Sequence, residues 1–253
     1  MPKVVKPKRS STALAPNEKP VAQSGSGNND NAEATPSSAA STVDSYLLYV
    51  QVRHTEDPPV ERSLCVPANF TFRQLAQVLM IAFGWARRHG WSFDLNERPE
   101  KPGGFRRKTM LTLMENAEVA KMMRNPERNK VAADYTLRDI YESEQYAGKA
   151  DIIYEYDQRD SWEHNVILLG KADAALRKAM WIPDDMHAFC YSGQGHPIAE
   201  DVGGFDGWQD LKVMFTKRGE WYKSVCANGD KKGLNPYEWD MSDVDARLKV
   251  IKA

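Results

Sequence analysis

Hydrophobic and polar positions first become regular at Tyr46. The segments 46–52 and 62–66 are rich in β-branched and aromatic residues and predict two strands. Pro58-Pro59 lies between them and excludes regular structure there, so the two strands are expected to pair as a hairpin. Alternation over 91–95 predicts the next strand of the sheet.

A helix is predicted between these strands. Thr71 with Gln74 has the spacing of a capping box, and Gly84 provides a C-terminal stop. Between them, apolar residues recur at helical spacing: Phe72, Leu75, Val78, Leu79, Ala82 and Phe83. The order strand, strand, helix, strand predicts an α+β fold in which the helix covers one face of the sheet.

The second half of the chain continues this pattern. Residues 151–156 and 162–169 predict two strands around a polar turn, 172–180 a helix, and 193–207 a glycine-rich loop. Asp206 is expected to cap a helix, and Ser242 to open the last one. We therefore expect one α+β domain over 46–253, with a mixed or antiparallel sheet packed by helices.

Residues 1–45 differ in composition from this domain. They contain eight Ser, five Pro and no aromatic residue, which predicts a disordered tail. A short basic cluster at Lys6, Lys8 and Arg9 is a nuclear-import signal, a weak nucleic-acid-binding arm, or an accidental group in a solubilising tail, and we favour the last interpretation.

Composition limits the function classes. The whole chain has a net charge of -1, and residues 46–253, with 29 basic and 31 acidic residues, have a net charge of -2, which argues against nucleic acid as a partner of the domain. No apolar run is long enough for a membrane helix, and no apolar signal segment follows the basic start. Three cysteines are too few for a disulfide framework. These features predict an intracellular protein, cytoplasmic or nuclear.

Two polar clusters are candidates for chemistry. In the first, Asp160, Trp162 and His164 follow Tyr156-Asp157 at the predicted turn, and alternate positions of a strand share a face. Asp160 and His164 can then act as a general base pair. The alternative, which we favour from the residues alone, is a hairpin turn with capping aspartates and a buried Trp and His.

The second cluster runs from Cys190 to Gly204. His187, Cys190 and His196, with His164, offer the atoms of a zinc site, but their spacing matches no standard finger. The cofactor therefore stays undefined, with zinc as one alternative. Glu200 and Asp201 are adjacent and are expected to point to different sides of the chain. The sequence contains no phosphate-binding glycine loop and no Gly-x-Ser-x-Gly elbow.

Taken together, these motifs resemble those of the plasmid pRiA4b Orf-3-like family, of the MM3350-like superfamily. The resemblance covers about residues 46–250, including a Pro-Pro-Val step and a Phe-Gly-Trp helix end. The signature Tyr-x-Tyr-Asp-x-x-Asp-x-Trp-x-His, then Cys-x-x-Gly and Glu-Asp-x-Gly-Gly, is matched by a set of spaced residues. They are Tyr154, Tyr156, Asp157, Asp160, Trp162, His164, Cys190, Gly193, Glu200, Asp201, Gly203 and Gly204.

The resemblance implies an α+β fold and no assigned activity. Gln158-Arg159 replaces the Phe-Gly that is usual in the turn, and of several family cysteines only Cys190 remains, which weakens any site built on thiolates. The tail is additional to the family core and indicates a eukaryotic, fungal-type member.

Three functions follow as hypotheses. The first, which we favour, is a non-enzymatic binding module for a protein or small-molecule partner. The second is a metal-assisted hydrolase that uses Asp160, His164, Cys190 and Glu200 or Asp201. The third is weak nucleic-acid binding linked to a mobile-element origin. Burial decides between the first two: polar groups that converge on an open pocket favour the enzyme, and buried, paired groups favour a structural role.

Overall fold

A computed structural model describes residues 44–99, 108–173, 175–195, 198–218, 235 and 237–252. The predicted tail, with its cluster Lys6, Lys8 and Arg9, lies outside the described residues apart from its last two positions. His196, one of the proposed zinc ligands, also lies outside them.

The described part of the chain is built on one eight-stranded mixed sheet in the order β5-β4-β3-β6-β7-β1-β2-β8. All neighbouring pairs are antiparallel except β4 and β5, which are parallel. The strands are β1 Ser45–Val52, β2 Glu61–Pro67, β3 Trp91–Glu97, β4 Thr109–Met114, β5 Asn129–Val131, β6 Ala150–Tyr156, β7 Trp162–Lys171 and β8 Phe189–Gln194. This confirms the α+β fold with a mixed sheet.

Helices join and cover these strands. The described helices are α1 Phe72–Ala82, α2 Ala117–Met122, α3 Leu137–Tyr141, α4 Leu176–Ala179, α5 Gly204–Arg218 and α6 Met241–Leu248. Each described helix is too short or too polar to span a lipid bilayer.

Local signals explain where α1 and α3 begin. The Thr71 hydroxyl accepts the Gln74 backbone N–H while the Gln74 side chain accepts the Thr71 N–H, so the predicted capping box is present. Thr136 and Asp139 form a second box at α3. Gly84 follows α1 with φ 73°, in the left-handed region that a glycine adopts without a steric penalty.

Four sequence predictions need correction in this part of the chain. The helix predicted over 172–180 is reduced to α4, and β8 extends through Gly193 into the segment predicted as a loop. Asp206 lies inside the first turn of α5, which begins at Gly204, so it does not cap the helix. The last helix begins one residue before Ser242, with Asp240 as its cap, because the Asp240 carboxylate accepts the N–H groups of Ser242 and Asp243.

The two faces of the sheet are covered to different extents. Alternate residues of β1, from Tyr46 to Val52, are buried with α1 in the main hydrophobic core. On the opposite face, Leu47 and Cys65 pack beneath the segment that carries α4. Further along β7, Ile167 and Leu169 are 46% and 57% exposed, so the cover on this second face is incomplete.

Candidate functional site

His164 lies in the interior of the protein. It is fully buried on β7, where its Nδ1 lies 3.2 Å from the Tyr154 carbonyl oxygen and its Nε2 lies 3.3 Å from Nε1 of Trp85. Because an indole N–H can only donate, Nε2 accepts and Nδ1 carries the proton. Burial lowers the pKa of His164 to about 4. A neutral imidazole with both nitrogens engaged is a structural group.

Glu200 lies in the same interior region. Its Oε1 accepts a hydrogen bond from the Tyr156 hydroxyl at 2.5 Å, and both carboxylate oxygens lie 3.1 Å from the Ala86 N–H. The Arg88 N–H donates to the Tyr156 oxygen at 3.2 Å, and Trp85 stacks on the Tyr156 ring. Burial raises the pKa of Glu200, and the Tyr156 hydrogen bond opposes that shift. Glu200 therefore links the β8–α5 loop to the end of α1.

Asp160 and Trp162 do not extend an acid–base pair with His164. Asp160 lies in the turn before β7, where its backbone passes close to Gly204. If Gly204 carried a Cβ, that atom would lie 3.2 Å from the Asp160 carbonyl oxygen. Gly204 has φ 71° and Gly203 has φ 89°, so both positions suit glycine. Trp162 is buried and lies 6.0 Å from Trp85 between ring centroids. The glycine pair allows the β8–α5 loop to pass close to this turn.

The remaining described zinc candidates belong to other surroundings. Cys190 on β8 is a buried free thiol whose neighbours are Ser192, Arg62 and Asp245, and burial raises its pKa to about 11. His187 is half-buried two residues before β8, where its carbonyl accepts from Arg177. Among the described residues, neither belongs to a group of three potential metal ligands.

A different group of three potential metal ligands, His89, Asp157 and Asp201, lies close together near the surface of the described part of the chain. His89 precedes β3, Asp157 follows β6, and Asp201 precedes α5. His89 Nε2 lies 3.1 Å from Asp201 Oδ1, and His89 Nδ1 lies 3.6 Å from Asp157 Oδ2. One ligand atom from each residue lies within 4.8 Å of the other two. Asp201 and Glu200 point to different partners, as the sequence predicted for adjacent carboxylates.

A recess of about 280 Å³ opens beside His89 and Asp157. Its other lining residues are Gly90, Trp91, Glu115, Val119, Gln158 and Arg159. The group His89, Asp157 and Asp201 therefore borders an open surface, whereas His164 and Glu200 do not.

Sequence reasoning did not select His89 as a site residue. His89 lies far along the chain from Asp157 and Asp201, in a segment without regular structure, and only the pairing of β3 with β6 brings it to the turn. The sequence places His89 shortly after the Phe-Gly-Trp end of α1, but nothing in its spacing points to Asp157 or Asp201.

The fold and these polar groups define an α+β domain on a single mixed sheet, with aromatic and acidic residues buried around the 157–164 turn. The chain belongs to the plasmid pRiA4b ORF-3-like protein family, whose model matches residues 44–247. This is the family indicated by the sequence motifs.

A solved structure shows the same fold. The protein of unknown function MM3350 from Methanosarcina mazei Go1 aligns with a TM-score of 0.57 and 20% identity, over 80% of this chain and 97% of that chain. No curated protein matches the sequence. The comparisons therefore place the chain in a family without adding an activity.

Proposed function

We propose that the domain is a non-enzymatic binding module that takes up an extended peptide segment along the free edge of β7. The observation that carries this proposal is the mismatch in length between β7 and β6. The two strands pair from Tyr156 opposite Trp162 to Ile152 opposite Val166. Beyond Val166, β7 continues to Lys171 and pairs only with β1 on its other side.

An unpaired strand edge offers backbone donors and acceptors to a further strand. Peptide binding by strand addition uses such an edge for affinity and adjacent pockets for selectivity. Here no described strand pairs with residues 167–171 on the side of β6. The side chains of Ile167 and Leu169 are exposed on the same stretch, which gives an incoming strand apolar surface to cover.

A cavity lies directly beside this edge. It has a volume of about 360 Å³ and is lined on one side by residues 165–168 of β7 and on the other by Tyr146, Gly148 and residues 150–152. Ile140 and Tyr141 of α3 also contribute to its wall, and Arg98 and Asp151 add polar groups. Such a volume is at the lower end of the ~300–1,000 Å³ usual for ligand pockets, and an apolar peptide side chain suits it.

The alternative function, a metal-assisted hydrolase built on Asp160, His164, Cys190 and Glu200, has less support. A catalytic acid or base must reach the substrate. His164 and Glu200 are each 0% exposed, and their polar atoms are engaged by Trp85, Tyr154, Tyr156 and Ala86. Their arrangement matches the buried, paired condition that favours a structural role.

The test is a selection of linear peptides from a phage-displayed random library on the full chain, followed by fluorescence anisotropy with the enriched sequences. We expect Ile167→Lys to weaken binding at least about tenfold, equivalent to roughly 1.4 kcal/mol, because a charged side chain would be placed against the incoming strand. Val250→Lys, at a residue that is 68% exposed elsewhere, should leave the affinity unchanged.

Two further readouts separate binding from catalysis. Hydrogen exchange of the 167–170 amides should slow in the complex, and mass spectrometry should show the peptide intact after incubation. Failure to enrich any peptide, equal affinity of Ile167→Lys and the unmodified chain, or peptide cleavage would each overturn the proposal.

A further inference from the structure

Three loops meet at His89, Asp157 and Asp201, and this juxtaposition is independent of the peptide edge proposed above. The imidazole lies between the two carboxylates, with Nε2 near Asp201 and Nδ1 near Asp157. Asp157 has only 5% of its side chain exposed, whereas Asp201 is 49% exposed. The group therefore has one buried side and one side open to solvent.

The His89–Asp201 contact has the distance, but not the direction, of a hydrogen bond. Nε2 of His89 is 3.1 Å from Asp201 Oδ1, yet it is a buried nitrogen without a hydrogen-bond partner among the described residues. Two donor atoms bound to one metal ion at about 2.0–2.2 Å lie roughly 2.8–3.6 Å apart, for angles at the metal between octahedral and tetrahedral. The observed separation matches that of two ligands on a shared cation.

Asp157 is held in place beside the other nitrogen of the imidazole. Its Oδ1 accepts the Arg159 N–H at 3.0 Å, which leaves Oδ2 directed to His89. Its backbone is fixed on both sides, because its N–H donates to the Gly90 carbonyl and its carbonyl accepts from Ser161. A carboxylate beside the second ring nitrogen is a common means by which proteins orient a metal-binding histidine.

We propose that Nε2 of His89 and a carboxylate oxygen of Asp201 bind one divalent transition-metal cation, of the class of Zn²⁺, Mn²⁺ or Fe²⁺, and that Asp157 orients the imidazole from the side of Nδ1. A site with an imidazole nitrogen suits these ions better than Ca²⁺ or Mg²⁺, which prefer oxygen ligands alone. Two protein ligands leave the remaining coordination positions to water or to a small ligand.

The competing explanation is an Asp–His–Asp ion bridge that ties the loops together without a metal. The two explanations differ in what they predict for added cations. A bridge gains nothing from an ion, whereas a metal site binds one ion per chain and stabilises the folded state in proportion to its occupancy.

The experiment uses the full chain, stripped with a chelator and dialysed, and titrated calorimetrically with Zn²⁺ and Mn²⁺ separately. Co²⁺ serves as a spectroscopic probe, because its visible absorption reports the ligand field. We expect one ion per chain, a raised Tm on addition of metal, and at least about a tenfold loss of affinity in Asp201→Asn and in His89→Gln, equivalent to roughly 1.4 kcal/mol each.

Matched controls locate the binding. Asp210→Asn changes an exposed carboxylate on α5 outside the group, and His187→Gln changes a histidine of the zinc set that the sequence suggested. Both should bind metal as the unmodified chain does. Circular dichroism and the metal-free Tm establish that Asp201→Asn is folded. Absence of stoichiometric binding, or binding that survives both Asp201→Asn and His89→Gln, would overturn the proposal.

Discussion

The indole Nε1–H of Trp85 donates to Nε2 of His164 across 3.3 Å in the interior of the domain. Trp85 follows α1 and His164 lies on β7, so this contact connects the end of the helix to the middle of the sheet. Phe83 adds an edge-on contact to the same imidazole at 4.8 Å between ring centroids. In this chain, His164 of the family signature therefore has a structural role: it connects the end of α1 to the sheet inside the domain.

The burial of His164 makes the free energy of unfolding depend on pH. Burial lowers the folded-state pKa of His164 to about 4, below its ordinary value of 6.5. Between these values the unfolded chain binds a proton at His164 and the folded protein does not, so falling pH favours unfolding. The contribution of neutral, buried His164 to the free energy of unfolding is fully present above about pH 6.5. It decreases as the pH falls towards 4, by up to roughly 3 kcal/mol.

Urea denaturation at pH 7.5 and pH 5 measures this contribution. His164→Asn should be less stable at pH 7.5 by about 1–3 kcal/mol, since it removes the acceptor of the buried Trp85 N–H. It should also show a smaller loss between the two pH values than the unmodified chain. Equal losses in the two proteins would show that His164 is not the titrating group.

Tyr156 and Tyr49 allow a comparison of two phenol–carboxylate contacts. Tyr156→Phe leaves the buried Glu200 carboxylate without one of its donors, and we expect it to cost about 2–3 kcal/mol. Tyr49→Phe removes a similar bond to Glu61 on a half-buried part of the sheet, and should cost less than about 1 kcal/mol. Thermal and urea unfolding of the two variants provide the test, and equal costs would contradict the assigned role of Glu200.

The sequence predicted those features that are determined by neighbouring residues. The Thr71–Gln74 box and the alternation of 46–52 are local, so the start of α1 and β1 could be identified from spacing alone. The assignment of chemistry to His164 depended on exposure, which spacing does not encode, because the residue faces the core through tertiary packing. His89 was missed because its partners come from two distant loops. Asp206 and Ser242 are residue types that often cap helices, but α5 begins earlier, at Gly204, and α6 is capped by Asp240.

Gly193 is required by a close strand contact. It pairs with Arg62 of β2, and a Cβ at this position would lie 2.6 Å from the Glu61 carbonyl oxygen and 2.8 Å from the Trp239 ring. Gly193→Ala should therefore cost about 1–3 kcal/mol through overpacking. Gly90→Ala is the control, because no heavy atom lies within 4 Å of its added carbon, and it should change stability by less than about 0.5 kcal/mol. Differential scanning calorimetry measures both, and a similar Tm for the two variants would contradict this explanation.

Arg62 is a fully buried cation that binds carbonyl groups instead of a carboxylate. Its guanidinium donates to four carbonyl oxygens at 2.6–2.9 Å and lies 4.2 Å from the Trp239 ring centroid and 5.3 Å from that of Phe83. The four acceptors are the carbonyls of Ala82, Glu61, Gln194 and Gly195. Burial lowers the Arg62 pKa to about 10, so the group stays charged at neutral pH. Arg62 thus joins α1, β2 and the end of β8 through one planar group.

Lysine at position 62 would keep the positive charge but would not provide the planar set of N–H donors of the guanidinium. We expect Arg62→Lys to cost about 3 kcal/mol or more, because carbonyls that the guanidinium satisfied are left unpaired and the stacking on Trp239 is lost. Arg98→Lys changes an exposed arginine that pairs with Asp151, and should cost less than about 1 kcal/mol. Urea unfolding at neutral pH compares the two variants directly. A stable Arg62→Lys protein would mean that charge alone, and not the geometry of the guanidinium, holds these three elements together.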